Sequence, residues 1–98
     1  MPKAYWIVHV EVTDAERYPE YVTKVGEAFD AYKYRPTFLV RGGRSENPEG
    51  AAKSRHVLVE FENYDDAVEC YHGDAYQAAA KLRQQFGATE FVIVEGVV

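Results

Sequence analysis

Three polar side chains lie inside apolar segments of this sequence and have the chemistry of a small-molecule site. His9 follows Tyr-Trp-Ile-Val, Arg41 follows Phe-Leu-Val, and Glu60 lies between Val-Leu-Val and Phe. A histidine near a carboxylate can act as a general base close to neutral pH, and an arginine provides a permanent cation for an anionic group. We therefore predict His9 and Glu60 as catalytic residues and Arg41 as a substrate-binding residue.

Tyr76 and Arg83 form a second candidate pair. They are seven residues apart, which places them along one edge of a helix. There they can stack as a cation–π pair or hold a carboxylate together; packing between subunits is the structural alternative. We predict both as substrate-binding residues, and we expect Arg83 to pair with a carboxylate or to contact a partner chain rather than extend into solvent.

Arg41 and His56 each allow a further interpretation, which is an anion site or an ion pair for Arg41 and a metal site for His56. Arg41 precedes Gly42 and Gly43, whose backbone N–H groups can complete an anion site, but an ion pair with Glu60 across a hairpin is the favoured explanation of the arginine. His56 adds a second imidazole, and two histidines with one carboxylate have the composition of a facial-triad metal site. No HxH or HxxxH spacing supports such a site, so we predict no metal and no cofactor.

Four short segments have the residue content of β-strands, namely residues 4–12, 37–41, 56–61 and 91–95. On the first of them Trp6, Val8 and Val10 lie on one face, and Ile7 and His9 lie on the other. A turn through residues 47–50, Asn-Pro-Glu-Gly, separates the second strand from the third.

A helix is predicted between the first and second strands. Thr13 and Glu16 have the spacing of a capping box, and Pro19 indicates a tight first turn before the main helix. Apolar residues then recur at intervals of three and four on one face, at Tyr18, Val22, Val25, Phe29 and Tyr32.

A second helical segment is predicted between the third and fourth strands. Asn63 is its candidate N-cap, Gly73 interrupts it, and Asp74 restarts it. Gly87 is the candidate left-handed residue that ends it. The predicted inward stripe consists of Ala75, Ala79, Leu82 and Phe86.

The order strand, helix, strand, strand, helix, strand is the ferredoxin-like βαββαβ pattern of an α+β fold. Right-handed crossovers place both helices on one face of a four-stranded antiparallel sheet. The strands are apolar on both faces, since Ile7 opposes Trp6 and Val8. We therefore expect a second copy of the sheet to cover the other face, which gives a homodimer and a dimeric α/β barrel. The more polar sheet faces would point into this barrel with His9, Arg41, His56 and Glu60.

Length and composition limit the class of protein. The 98 residues suffice for one domain, which we assign to residues 1–98. A net charge of −5 argues against a nucleic-acid partner, and no apolar run approaches the ~18 residues of a membrane span. The single cysteine, Cys70, has no neighbouring cation and is expected to be an inert thiol. Without a signal-peptide pattern, the protein is predicted to be cytoplasmic.

The chain resembles the bacterial family called domain of unknown function 1330, within the dimeric α/β-barrel superfamily. The similarity extends over nearly the whole chain and is carried by residues 4–8, 38–43, 57–61, 76–83 and 94–96. The run from Leu39 to Gly43 and the spacing of Tyr76 and Arg83 are the most specific parts. Residues 34–37 and 73–75 depart from the family's Gly-rich and Ser-Pro patterns. The resemblance implies a dimeric barrel and assigns no activity.

Three classes of function remain open. In the first, a small dimeric barrel binds or transforms a small aromatic or anionic metabolite in a pocket between sheet and helices. His9, Arg41 and Glu60 would then be its polar groups, because buried polar groups need partners; a closed network of these side chains without a cavity is the alternative. The second class is a structural or regulatory dimer without catalytic chemistry. The third is a small metal- or haem-dependent oxygenase, which the scattered histidines disfavour.

Overall fold

The computed structural model describes residues 2–32 and 35–98. Its elements are β1 (Ala4–Val12), α1 (Tyr18–Ala31), β2 (Thr37–Arg41), β3 (Arg55–Phe61), α2 (Tyr64–His72), α3 (Asp74–Phe86) and β4 (Gly87–Glu95). The predicted order of strands and helices is confirmed, and the second helical segment is divided at Gly73, as the sequence indicates.

The four strands form one antiparallel sheet in the order β2-β3-β1-β4. In the register of the sheet, Trp6 of β1 lies opposite Val59 of β3 on one side and Ile93 of β4 on the other. The face that carries these residues is packed against the helices, so the predicted ferredoxin-like α+β architecture is confirmed.

The Trp6 indole is the centre of the core between sheet and helices. Its ring centroid lies 5.5 Å from Phe29, 4.9 Å from Phe61, 4.7 Å from Tyr76 and 5.1 Å from Phe91. Its N–H donates to the Ala67 carbonyl at 3.0 Å, so its polar atom is satisfied where water is excluded. This aromatic cluster fixes α1, α2 and α3 against one face of the sheet.

The start of α1 differs from the prediction, whereas the start of α2 agrees with it. The Thr13 N–H donates to the Phe86 carbonyl, which holds Thr13 at the end of β1, and no side-chain cap forms at α1. The predicted capping box is therefore wrong, and α1 begins at Tyr18. At α2 the Asn63 side chain accepts from the Asp66 N–H at 2.8 Å, which confirms Asn63 as the N-cap.

The buried face of α3 is rotated from the predicted stripe. Its buried residues are Tyr76, Ala79, Ala80, Arg83 and Phe86, whereas Ala75 is exposed. The prediction for Ala75 is wrong, because turning the helix to bury the Tyr76 ring removes far more apolar surface from water than burying one methyl group. Tyr76 and Arg83 thus lie within the core and not beside it.

Gly87 does not end α3 in a left-handed conformation, which corrects a third prediction. Its φ of −170° is extended, and it begins β4 four residues before the predicted start of that strand. A Cβ at this position would lie 2.9 Å from the Glu11 carbonyl oxygen. The missing side chain therefore allows β4 to approach the end of β1.

The face of the sheet opposite the helices is apolar at its centre, and we call it the open face. Ile7 lies opposite Leu58 and Val92, and Val92 is 53% exposed. Apolar patches of this kind mark interaction surfaces. None of the described helices has the length and apolar character needed to cross a bilayer.

Candidate functional site

A small cavity lies between the sheet and the helices. It has a volume of about 40 Å³, and apolar side chains of β1, β3 and α1 form most of its wall. The polar side chains that line it are Tyr18, Tyr21, Arg41, Arg55 and Tyr76. A volume of this size holds a few water molecules or one small chemical group. We call it the inner cavity.

Arg41 lines this cavity because β2 contains a bulge. The register shifts between Phe38 and Val40, so that Val40 lies opposite Leu58 and Arg41 lies opposite Val57. The extra residue, Leu39, reverses the alternation of side chains along the strand. The prediction that Arg41 faces the barrel with His9 and Glu60 is therefore wrong, since Arg41 lies on the helix side and its guanidinium stacks 4.5 Å from the Phe38 ring centroid.

Arg55, like Tyr21, is a polar cavity residue that the sequence analysis missed. It is the first residue of β3, opposite Val10 of β1, and it shares the helix-facing side with Val57. Its position two residues before Val57 was the available signal. Its Nε atom is buried without a hydrogen-bond partner, and its guanidinium lies 5.6 Å from the Tyr18 ring centroid.

Gly42 provides the space that the Arg55 guanidinium occupies. It has a φ of +74°, and a Cβ on this residue would lie 2.7 Å from Arg55 Nη1. An arginine side chain from the neighbouring strand therefore approaches the backbone closely at Gly42. The predicted pairing of Arg41 with Glu60 is not formed, since Glu60 accepts from the Tyr5 hydroxyl at 3.3 Å and lies 3.7 Å from Lys3 Nζ.

Tyr76 joins the inner cavity to a buried hydrogen-bond chain. Arg83 Nη1 donates to the Tyr76 hydroxyl at 2.7 Å, and the Tyr21 and Tyr76 hydroxyls lie 2.9 Å apart. Arg83 is 4% exposed and makes no ion pair with a carboxylate of residues 2–32 or 35–98. It avoids solvent as expected, but its partner within the chain is a tyrosine and not the carboxylate that we named as one of its two possible partners, the other being a second chain. Its cation–π contact is with Phe91 and not with Tyr76.

The protonation of this chain follows from its burial. Desolvation raises the pKa of Tyr76 well above its ordinary value, although the neighbouring Arg83 charge opposes the shift. Desolvation also raises the pKa of Tyr18, against the opposing charge of Arg55. Both phenols are therefore protonated at neutral pH and do not act as bases.

His9 and His56 meet on the open face of the sheet. They are opposite in register, and their Nδ1 atoms lie 2.7 Å apart. At that distance one ring donates and the other accepts, so the two Nδ1 atoms cannot both carry protons without opposing N–H groups. Glu60 lies opposite Tyr5, four residues along β3 from His56, or roughly 13 Å. The structure thus brings His9 to His56 but brings neither to Glu60 nor to Arg41.

Among the described residues, neither a cluster of metal ligands nor a reactive thiol contributes to this site. No three His, Cys, Asp or Glu side chains among residues 2–32 and 35–98 converge on a position that could hold a metal ion. Cys70 is buried in the core, and desolvation raises the pKa of its thiol to about 12, as expected of an inert cysteine.

Two wider hollows adjoin the inner cavity. One has a volume of about 420 Å³ and shares Phe29, Phe38 and Arg41 with it. The other, of about 520 Å³, shares Tyr18, Val22 and Arg55. Arg41 therefore lines both the inner cavity and the first hollow, and Arg55 lines both the inner cavity and the second.

Comparison with known proteins agrees with this fold. The sequence model of a family described as a domain of unknown function (DUF1330) matches residues 3–97. No protein of curated function matches the sequence.

Solved structures extend the comparison. A dimeric ferredoxin-like protein of unknown function from Jannaschia sp. CCS1 has a TM-score of 0.78 at 13% identity, covering 96% of this chain and 99% of that one. A dimeric protein of unknown function with a ferredoxin-like fold from Bacteroides fragilis has a TM-score of 0.55 at 20% identity, covering 96% of each chain.

A cofactor-independent oxygenase, SnoaB from Streptomyces nogalater, has a TM-score of 0.67 at 10% identity, covering 100% of this chain and 96% of that one. At such identities the likenesses show the fold, while chemistry varies widely on shared folds.

Proposed function

This chain belongs to the DUF1330 family, and we propose that it forms a homodimer through the open face of its sheet and binds a small metabolite in the inner cavity of each subunit. The observation that carries the binding proposal is the cavity wall itself. It is mostly apolar, yet it holds five polar side chains that can donate hydrogen bonds, namely Tyr18, Tyr21, Arg41, Arg55 and Tyr76. Apolar walls with a few convergent polar groups are typical of small-molecule sites.

The homodimer has separate support from the open face. Its central residues Ile7, Leu58 and Val92 adjoin one another, and two structural relatives are described as dimeric. Stacking a second sheet on this face would remove apolar surface from water and enclose the His9–His56 pair. The helix side, with the inner cavity, would stay accessible in each subunit.

The proposed site differs in place from the one that the sequence suggested. His9 and Glu60 lie on the open face, so in the dimer they would belong to the interface and not to the ligand. Arg41 and Tyr76 both line the inner cavity, and Arg83 orients the Tyr76 hydroxyl. We therefore keep Arg41 and Tyr76 as ligand-binding residues, with Arg83 as a positioning residue.

A fragment titration followed by ¹H–¹⁵N NMR tests the binding proposal. A panel of small neutral and charged aromatic and aliphatic compounds should shift the backbone amides of Val25, Val57 and Val59, which line the cavity. Val22→Phe should abolish these shifts by filling the cavity, whereas Ala78→Phe, at an exposed site on α3, should leave them unchanged. A panel without any cavity-directed shift would support the alternative of a structural dimer.

A further inference from the structure

We propose that the ligand of the inner cavity is a carboxylate, held by Arg41 and Arg55 together. This inference rests on the proposed function, since it names the chemical class that the proposed site would take. Arg41 lies opposite Val57 in the register of β2 and β3, and Arg55 is two residues from Val57 on the same face. The two arginines are thus diagonal neighbours, with Cα atoms roughly 7–8 Å apart, close enough for long side chains to reach one anion.

Neither arginine has a carboxylate partner within the described part of the chain. The other ion pairs of the structure include Arg17–Glu20 at 3.0 Å and Arg35–Asp30 at 2.8 Å. With sixteen acidic residues in the chain, carboxylates are abundant, yet none lies at Arg41 or Arg55. The buried Arg55 Nε also lacks an acceptor. Buried donors without acceptors are rare in folded proteins, and a bound anion would satisfy this one.

The surroundings hold both guanidinium groups without neutralising them. Arg41 lies over the Phe38 ring and Arg55 over the Tyr18 ring, and Arg55 also forms a side-chain hydrogen bond with Tyr18. Both rings are neutral, so neither compensates a guanidinium charge, and each guanidinium has five N–H donors to offer. Gly42 keeps the path of Arg55 clear. Planar forks of donors match the geometry of a carboxylate, which can accept two hydrogen bonds from one guanidinium.

The volumes limit the rest of the ligand. The inner cavity, at about 40 Å³, admits a small apolar group, and a larger one would extend past Arg41 into the adjoining hollow of about 420 Å³. Besides the two arginines, the polar groups of the cavity wall are the hydroxyls of Tyr18, Tyr21 and Tyr76, which are neutral and do not balance a second charge. The ligand is therefore a monocarboxylate with a compact apolar remainder, such as a short aliphatic or a single-ring aromatic acid.

The test compares two acids with their neutral amides. Butyrate and benzoate, and butyramide and benzamide, are titrated into the wild-type protein and followed by ¹H–¹⁵N NMR, which also reports whether each variant is folded. We expect each acid to bind at least ~10-fold more tightly than its amide, and added salt to weaken only the acids.

Variants identify the groups responsible. Arg55→Gln and Arg41→Gln should each reduce the preference for the acid to less than ~3-fold, while Arg44→Gln, an exposed arginine in the following loop, should leave it unchanged. Because Arg41 is exposed, its variant is expected to fold even if the Arg55 variant does not. Equal binding of acid and amide in the cavity would overturn the carboxylate proposal and leave the proposed function standing. Binding of none of the four compounds would also overturn the carboxylate proposal, and the proposed function would fail with it only if the wider fragment panel gave no cavity-directed shift either.

Discussion

Arg83 is a buried cation whose hydrogen-bond partner is a neutral tyrosine. Its removal would leave the Tyr76 hydroxyl without its donor and open a cavity beside the Phe91 ring. We expect Arg83→Ala to lower the free energy of unfolding by about 2–4 kcal/mol, as other large-to-small core changes do. Urea denaturation measures this loss. Lys81→Ala, at an exposed position of the same helix, should change stability by less than ~0.5 kcal/mol, and an equally small effect at Arg83 would show that the side chain is not held in the core.

Cys70 gives a prediction about thiol chemistry. Desolvation raises its pKa to about 12, so at pH 8 only about one molecule in ten thousand carries the reactive thiolate. We expect the folded protein to resist an aromatic disulfide reagent at pH 8 and to react rapidly after unfolding in guanidinium chloride. Rapid reaction of the folded protein would contradict the placement of Cys70 in the core.

At the scale of the elements, the sequence predicts where the strands and helices lie better than which way their side chains face. The residue content of the chain locates β1 and β2 with their observed bounds. It does not reveal the bulge at Leu39, because a strand with a bulge contains the same types of residue as a regular strand. The bulge nevertheless turns Arg41 to the other face of the sheet. For this reason Arg41 does not share a face of the sheet with His9 and Glu60, contrary to the prediction from the sequence.

The sequence likewise does not predict which residues, far apart along the chain, contact one another at the site. Nothing in the spacing of Arg55 and Tyr18 predicts that the arginine lies over the tyrosine ring, because their elements meet only in the folded sheet and helix layers. The rotation of α3 that buries Arg83 also depends on how much apolar surface each face can bury against its neighbours. By contrast, the apolar open face follows directly from the sequence, because β1 has apolar residues on both of its faces.

The turn after β2 offers a matched pair of substitutions. Gly42 and Gly43 both have positive φ, +74° and +87°, but only at Gly42 would a Cβ meet the Arg55 guanidinium. We expect Gly42→Ala and Gly43→Ala to cost a similar ~1–2 kcal/mol of stability, because the backbone strain is shared and the end of a long side chain can move aside. Only Gly42→Ala should weaken benzoate binding in an NMR titration, since it displaces Arg55. Equal benzoate affinities in the two variants would show that Arg55 does not bind the ligand.

In the proposed homodimer, a second copy of the chain covers the open face. An interface that stacks two sheets would be of the obligate class, which buries roughly 2,000 Å² or more. Ile7→Asp places a charge at the centre of this face, opposite Leu58 and Val92, and a buried unpaired charge is strongly unfavourable. We expect sedimentation velocity to show a dimer for the wild-type protein and for Ala78→Asp, and a monomer for Ile7→Asp. A wild-type monomer at tens of micromolar would exclude the proposed dimer.

We propose that the two sides of the sheet have separate roles: the open face contacts the partner subunit, and the helix side binds the ligand. A crystal structure of the protein with benzoate tests it most directly. We predict two sheets packed face to face through Ile7 and Leu58, and a carboxylate within hydrogen-bond distance of Arg41 and Arg55 at the inner cavity of each subunit. Benzoate bound between the sheets beside His9 and Glu60, or subunits joined through their helices, would contradict the account.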